Sequence, residues 1–219
     1  MTTTGHSPGN GPLAHPSRAG TLHLLGNHPV LDFTNTSSGR GGEQWLDHLQ
    51  QPDHLADWAI HAGILPQGCA MPALTVADLD RAVRLREALY RTLAQVSRRG
   101  DPAREDVAVI VAEHGRCLSV AGLVAAAGSP ADPAFGWRWP QGGVAAILGP
   151  LVTAALPLLT AVPPDRLRCC PGQDCGWLFL DTTRNGRRRW CDMAVCGNRA
   201  KAGRHRASRK AGAGQEKAE

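Results

Sequence analysis

A chain of 219 residues with 42% hydrophobic content has material for one large or two small domains with a buried core. Its formal charge of +5 is unevenly held: between Arg184 and Lys210 ten Lys or Arg face one acid, Asp192, so this window carries +9 and the rest −4. No segment approaches the roughly 18 consecutive apolar residues of a membrane span, and a mildly acidic body with a basic end is the footprint of one module that meets a polyanion.

Residues 1–20, rich in Gly, Pro, Ser and Thr, lack the apolar run of a signal peptide and the charge pattern of a transit peptide, so a disordered leader is expected. From Thr21 to Asn35, TLHLLGNHPVLDFTN predicts two short extended segments around a bend, because Pro29 fixes its own φ and favours an extended residue before it. His28, Asp32 and Asn35 form a candidate small-ligand site, weighed against the commoner role of such residues in capping a turn. After a loop at 37–42, the spacing of Trp45, Leu46, Leu49, Leu55, Trp58, Ala59 and Ala62 predicts two short helices, separated at Pro52 and closed at Gly63. His48, His54 and His61 fall on them; widely spaced and without nearby acids, they make a poor metal set and are expected to face solvent.

Val76 to Arg98 is a predicted helix, with Thr75 or Asp78 as cap and Leu79, Val83, Leu85, Leu89, Leu93 and Val96 as its apolar stripe. Arg81, Arg84, Arg91 and Arg98 oppose that stripe, interleaved with acids as on a solvated face. Asp101-Pro102 starts a further helix to about Cys117, with Val107, Ile110 and Val111 inward. Beyond Leu118 the period drops to two: LSVAGLVAAAG and FGWRWP flank the turn-rich SPADPA and predict a β-hairpin, with Trp137 and Trp139 closing a small core. Val144 to Ala161, apolar nearly all round, belongs at the domain centre as a helix kinked or split by Pro150 and Pro157. Val162-Pro163-Pro164-Asp165 marks a linker and a boundary near 164.

Cys170 and Cys175 form one C-x4-C pair and Cys191 and Cys196 a second, with fifteen residues between them. Two such loops turn four thiolates toward one point and suit a closed structural site for one Zn2+. Arg168, Arg187, Arg188, Arg189 and Arg199 favour the thiolates and offset the negative charge of the centre. Two disulfides would need an oxidising compartment of which the chain gives no sign, and four merely buried thiols would not explain the pairing. Cys69, Cys117 and Cys169 remain as isolated residues of an expected cytoplasmic, reduced protein. Cys169 is the rival ligand to Cys170, although its C-x5-C spacing breaks the match to the second pair. Four thiolates leave no open coordination position and no Glu lies in the module to act as base, so an enzyme is not expected.

Between the pairs, Gly176 to Leu180 is strand-like, Asn185-Gly186 is a turn, and Arg187 to Trp190 is expected to return as the second strand of a zinc-pinned hairpin. Asp192 is the expected N-cap of a helix from Met193 to Lys210, giving a treble-clef-like finger whose folding depends on zinc. Arg184, Arg187, Arg188 and Arg189 at the hairpin turn and Arg199, Lys201, Arg204, Arg206 and Arg209 along the helix are candidate phosphate contacts. Asn198 and Arg199, near the helix start, suit adenine and guanine edges.

Cys170, Cys175, the GWLF run at Gly176 to Phe179, Asp181, Arg184-Asn185-Gly186, Arg189-Trp190-Cys191 and Cys196-Gly197-Asn198-Arg199 resemble the CGNR zinc finger family. GNHPVLDFTNT, Gly26 to Thr36, is similar to the opening of the ABATE domain that usually precedes this finger; the resemblance covers about residues 22–210 and departs at Cys169 and Gly203. It implies a mixed α/β fold and a role in stress-induced transcription regulation with DNA binding. The expected class is α+β: a leader at 1–20, a mainly helical domain with a small β-sheet or hairpin at 21–163, the finger at 164–210 and a flexible tail at 211–219. The expected function is a zinc-binding, DNA-binding transcriptional regulator whose amino-terminal domain senses a small-molecule effector or forms a homodimer. The alternative is a protein–protein interaction module with a purely structural zinc site. No membrane partner is expected.

Overall fold

The computed structural model describes residues 17–40, 42, 45–70, 73–125 and 133–215, without the side chains of 208–215. In chain order the elements are α1 (Pro29–Thr34), β1 (Ser37–Ser38), β2 (Leu46–Asp47), α2 (Pro52–His61), α3 (Val76–Ser97), α4 (Arg104–Leu118), β3 (Gly122–Ala125), β4 (Phe135–Arg138), α5 (Ala145–Thr160), β5 (Leu167–Cys169), β6 (Leu178–Leu180) and α6 (Asn198–Gln215). The strands pair antiparallel as β1–β2, β3–β4 and β5–β6. The architecture is therefore α+β. Most of the expected leader lies outside the described residues, but Ser17 already donates to the His48 carbonyl at 2.7 Å and Ala19 is buried. Among the described residues no helix is long and apolar enough to cross a membrane.

The first correction concerns Pro29, which opens helix α1 instead of an extended segment. At the first helical position its preset φ fits and its missing N–H leaves nothing unpaired. His28, in an extended conformation, caps the helix by accepting the Val30 N–H on Nδ1 at 3.3 Å. Val30, Leu31 and Phe33 enter the core, where Phe33 meets Trp58 with ring centroids 5.2 Å apart. The second correction follows the same rule, since Pro52 opens α2 and only one helix forms there. The residues before it are tied instead to β1 and α3: His48 N–H donates to Thr36 O at 2.9 Å, and both Asp47 oxygens accept from Arg86 at 2.6 Å. Arg86 is itself 1% exposed, an ion pair inside the protein. His48, expected at the surface, is wholly buried between Ser38 Oγ and the Arg18 N–H. Burial lowers its pKa to about 4.

α3 keeps its predicted stripe, and Thr75 and Asp78 close a reciprocal capping box. Its arginines are less free than expected: Arg81 grips Glu113 at 2.6 Å and Arg91 grips Asp106 at 2.6 Å. Those pairs set the rotation of α4. Asp106, Ile110, Glu113 and Cys117 face inward, whereas Val107 and Val111, expected inside, are 40% and 59% exposed. The β3–β4 hairpin forms with Leu123 opposite Trp137, and most of SPADPA lies outside the described residues. Trp137 stacks on Trp139 at 5.9 Å but stays half exposed; Trp139 lies so close to Gly149 that a Cβ there would meet its ring at 2.3 Å. α5 runs unbroken through Pro150 and Pro157 and buries Ile147, Leu148, Leu151, Val152 and Ala155 at the centre.

The strand partner in the finger also differs. β6 pairs with β5, ahead of the first cysteine ligand, so the Cys170–Cys175 loop is itself the hairpin turn; Arg187 to Trp190 forms no strand. The Cys170 N–H extends the ladder to Trp177 O at 2.8 Å. Leu167 of β5 and Leu178 of β6 lie in the same apolar core as α3 and α5. α6 is helical to Gln215, beyond the expected end at Lys210.

Candidate metal centre and nucleic-acid interface

The first half of the centre is a tight loop. Cys175 N–H donates to Gly172 O at 3.1 Å, and Asp174 and Gly176 take positive φ values of 57° and 71° to bring the chain back into β6. A Cβ on Gly172 would press on Cys196 Sγ at 3.1 Å, so the two halves meet across a bare glycine. The second half is a π-helical turn, Met193–Gly197, capped by Asp192, which accepts the Ala194 N–H at 2.6 Å. At Gly197 a Cβ would meet Met193 Sδ at 2.3 Å.

These loops bring Cys170, Cys175, Cys191 and Cys196 together, with all four sulfurs within 4.8 Å of one another. Cys175–Cys191 and Cys191–Cys196 are each 3.6 Å apart, near the ~3.8 Å edge of a tetrahedron with ~2.3 Å Zn–S bonds, and all four cysteines are free thiols. Donor type, number and spacing fit one structural Zn2+, which joins the knuckle to the π turn. Cys169 does not compete: alternation along β5 turns it away, toward Gly176 O at 3.6 Å and the main core. In the cluster, thiol donation from Cys175 and Cys191 lowers the Cys170 pKa, whereas donation to Cys170 raises that of Cys175 and burial raises that of Cys196. Ligation of all four therefore displaces protons.

His28, Asp32 and Asn35 are drawn into the junction between the metal module and the helical domain. Asn35, 1% exposed, donates from Nδ2 to Leu178 O and accepts the Leu178 N–H on Oδ1, both at 2.9 Å. Its amide imitates a neighbouring strand. Leu180 N–H donates to Gly26 O at 2.8 Å and Asn27 Nδ2 donates to Leu180 O at 3.1 Å, so the outer edge of β6 is covered along its length. Asp32 accepts the Gly26 N–H at 2.8 Å; burial raises its pKa to about 6 against that bond and the nearby Arg188 charge. Burial lowers the His28 pKa, consistent with the neutral ring that accepts from Val30. Tyr90 OH adds a bond to Gly176 O at 3.0 Å.

The candidate cations divide into two groups. Arg188 is engaged internally: its guanidinium lies 4.4 Å from the Phe179 ring centroid and donates to the carbonyls of Leu25 at 2.9 Å, Trp190 at 3.1 Å and Cys191. Its N–H donates to the buried Asp181 carboxylate. Burial pushes the Asp181 pKa up, but donation from Thr183 and Arg188 outweighs this and holds it low. Arg184, Arg187 and Arg189 are exposed, with Arg189 over the Trp190 ring at 4.9 Å. Arg166, which sequence reasoning did not single out, and Arg168, expected there only to favour the thiolates, brace their turn through Thr183 O at 2.7 Å and Gly186 O at 3.1 Å. Arg187, Arg189, Trp190 and Met193 line a groove of about 680 Å³ beside the metal centre. Asn198, Arg199, Lys201, Arg204 and Arg206 are exposed on α6, while the Arg209 side chain lies outside the described residues.

Two family models match the chain. One, described as "Putative stress-induced transcription regulator" (ABATE), covers residues 27–162, and the other, "CGNR zinc finger", covers residues 166–209. Neither is an enzyme family. No curated protein matches the chain.

Proposed function

The chain belongs to the ABATE family and carries a C-terminal CGNR zinc finger, and on that footing we propose that it is a DNA-binding transcriptional regulator whose finger contacts duplex DNA. The observation that carries this reading is α6. From Met193 to Gln215 the sequence contains no acid, and Arg199, Lys201 and Arg206 are exposed on a helix that packs chiefly against the π turn. Exposed cations on a helix held at its start by the π turn can follow a phosphate backbone, while zinc holds that start in place. Binding of the zinc-loaded chain to labelled duplex should weaken linearly in log–log form as salt rises. No binding at low salt, or binding indifferent to salt, would sink the proposal.

For the amino-terminal domain we infer homodimerisation rather than effector sensing. The reading is supported by Leu123, Phe135 and Trp137, which are 59%, 58% and 48% exposed on the β3–β4 hairpin. Sedimentation equilibrium is expected to give a dimer that Trp137→Glu converts to a monomer; a monomeric wild type would remove this part of the reading.

A further inference from the structure

How α6 would lie on DNA follows from which of its faces is already occupied, and this inference rests on the DNA-binding reading above. With ~3.6 residues per turn, Cys196, Ala200 and Gly203 fall on one side of the helix. Cys196 is buried and Ala200 half-buried, so the start of this side is turned toward the protein, whereas a Cβ on Gly203 one turn on would meet nothing within 4 Å. The opposite side carries Asn198, Ala202 and His205, all exposed, with position 209 continuing the strip. Asn198 Nδ2 donates to Ala194 O at 3.1 Å, which fixes that side chain at the start of the helix.

Cations flank this strip on both sides. Arg199 and Arg206 form one row about a quarter turn away, continued by position 210, and Lys201 and Arg204 form the other. Arg199 lines a cleft with Arg18 and Asp174, which places it on the flank nearest the protein instead of on the outermost strip. A helix ~10–12 Å wide fills a major groove ~12 Å wide, and a central polar strip between two cationic rows matches base edges between two phosphate strands. Asn198 and His205 are seven positions apart, or ~10 Å of helix, a span of about three base pairs. Ala202 between them has no bulk to hold the backbone away and can meet a thymine methyl.

The geometry points to α6 as a major-groove helix that reads bases through Asn198 and His205, while Arg199 and Arg206 on one side and Lys201 on the other contact phosphates. This moves Arg199 from the base edges, where sequence position alone put it, to the backbone. Asn198 suits adenine through its paired donor and acceptor, and the His205 ring nitrogens offer a donor or an acceptor to a purine edge.

The zinc-loaded full chain would be used to select sites from a randomised duplex library, and affinity for the selected and a scrambled site would be measured across salt. Asn198→Ala and His205→Ala should each lower the preference for the selected site by about 5- to 100-fold with the salt slope unchanged. Arg199→Ala and Arg206→Ala should keep the preference and reduce the slope by about 1 each. Metal content and melting temperature check that each variant is folded. Unchanged preference in both Asn198→Ala and His205→Ala, or a lost preference in Arg206→Ala, would overturn the assignment. So would a wild type that binds in a salt-dependent way without selecting any site, which leaves DNA binding itself standing. Absence of salt-dependent binding would instead remove the parent reading.

Discussion

The segment from Gly26 to Thr36 and the helix α6 are both dense in side chains able to hydrogen-bond, and they use that capacity in opposite directions. In the first, Asn27, Asp32 and Asn35 each bond to backbone groups of the same chain, several of them about 150 residues away. In the second, Asn198 bonds back to the π turn, and Arg199, Lys201, His205 and Arg206 extend into solvent. Polar density near a turn is therefore a poor guide to a ligand site, because the protein's own backbone is the nearest competitor for those groups. The same contrast separates neighbours: Arg188 is engaged by three carbonyls and an aromatic ring, whereas Arg187 beside it is exposed.

The severest test of the inward-facing region is Cys196→Ser. Zinc should fall from one per chain to none, with a loss of about 5–15 kcal/mol, comparable to a whole domain's stability. Because Leu167 and Leu178 share the main core, the melt followed at the buried Trp58 should shift too. An unaltered amino-terminal transition would break the link between the two regions. Asn35→Ala strands the buried N–H and C=O of Leu178 and should cost about 2–5 kcal/mol in denaturant unfolding, with zinc retained.

The pH dependence gives a finer probe. Asp32 rises from 3.8 to about 6 on folding, so its contribution is full below pH 3.8 and is lost as pH climbs through 6. His48 falls from 6.5 to about 4, so its contribution is full above pH 6.5 and is lost as pH drops through 4. The two oppose each other between pH 4 and 6. Asp32→Asn should unmask the histidine, with stability rising by ~3 kcal/mol from pH 4 to 6.5, and a curve as flat as the wild type's would contradict the assignment. Smallest of all is the arginine pair. Arg188→Ala is expected to destabilise by about 1.5–3 kcal/mol, while Arg187→Ala stays within about 0.5 kcal/mol and lowers only the salt slope of DNA binding.

Much of this was legible in the chain. α3 announced itself through a long stripe and the Thr75–Asp78 box, the β3–β4 hairpin through alternation, and the metal centre through paired spacing. Short elements were not, because their determinants lie elsewhere in the chain. The six residues of α1 depend on a histidine cap and on Pro29 being a start instead of a bend. Leu46-Asp47 departs from its helical spacing because Arg86, 39 residues on, holds Asp47. The rotation of α4 is set by arginines on α3, and the partner of β6 is a three-residue strand without a distinctive pattern. The inward face of α6 needed the packing around Cys196 before Arg199 could be separated from Asn198.

The covered edge of β6 also dictates the order in which the protein can be completed. A ribosome that has just made Asn35 must add 143 more residues before the amide can meet Leu178. Until then the newly made helical domain has an unfilled place in its core and backbone groups at Leu25 and Gly26 still waiting for partners. Synthesis of the finger thus completes the core of the helical domain made before it, and a nascent chain stalled before the finger exposes the kind of surface that chaperones and proteases bind.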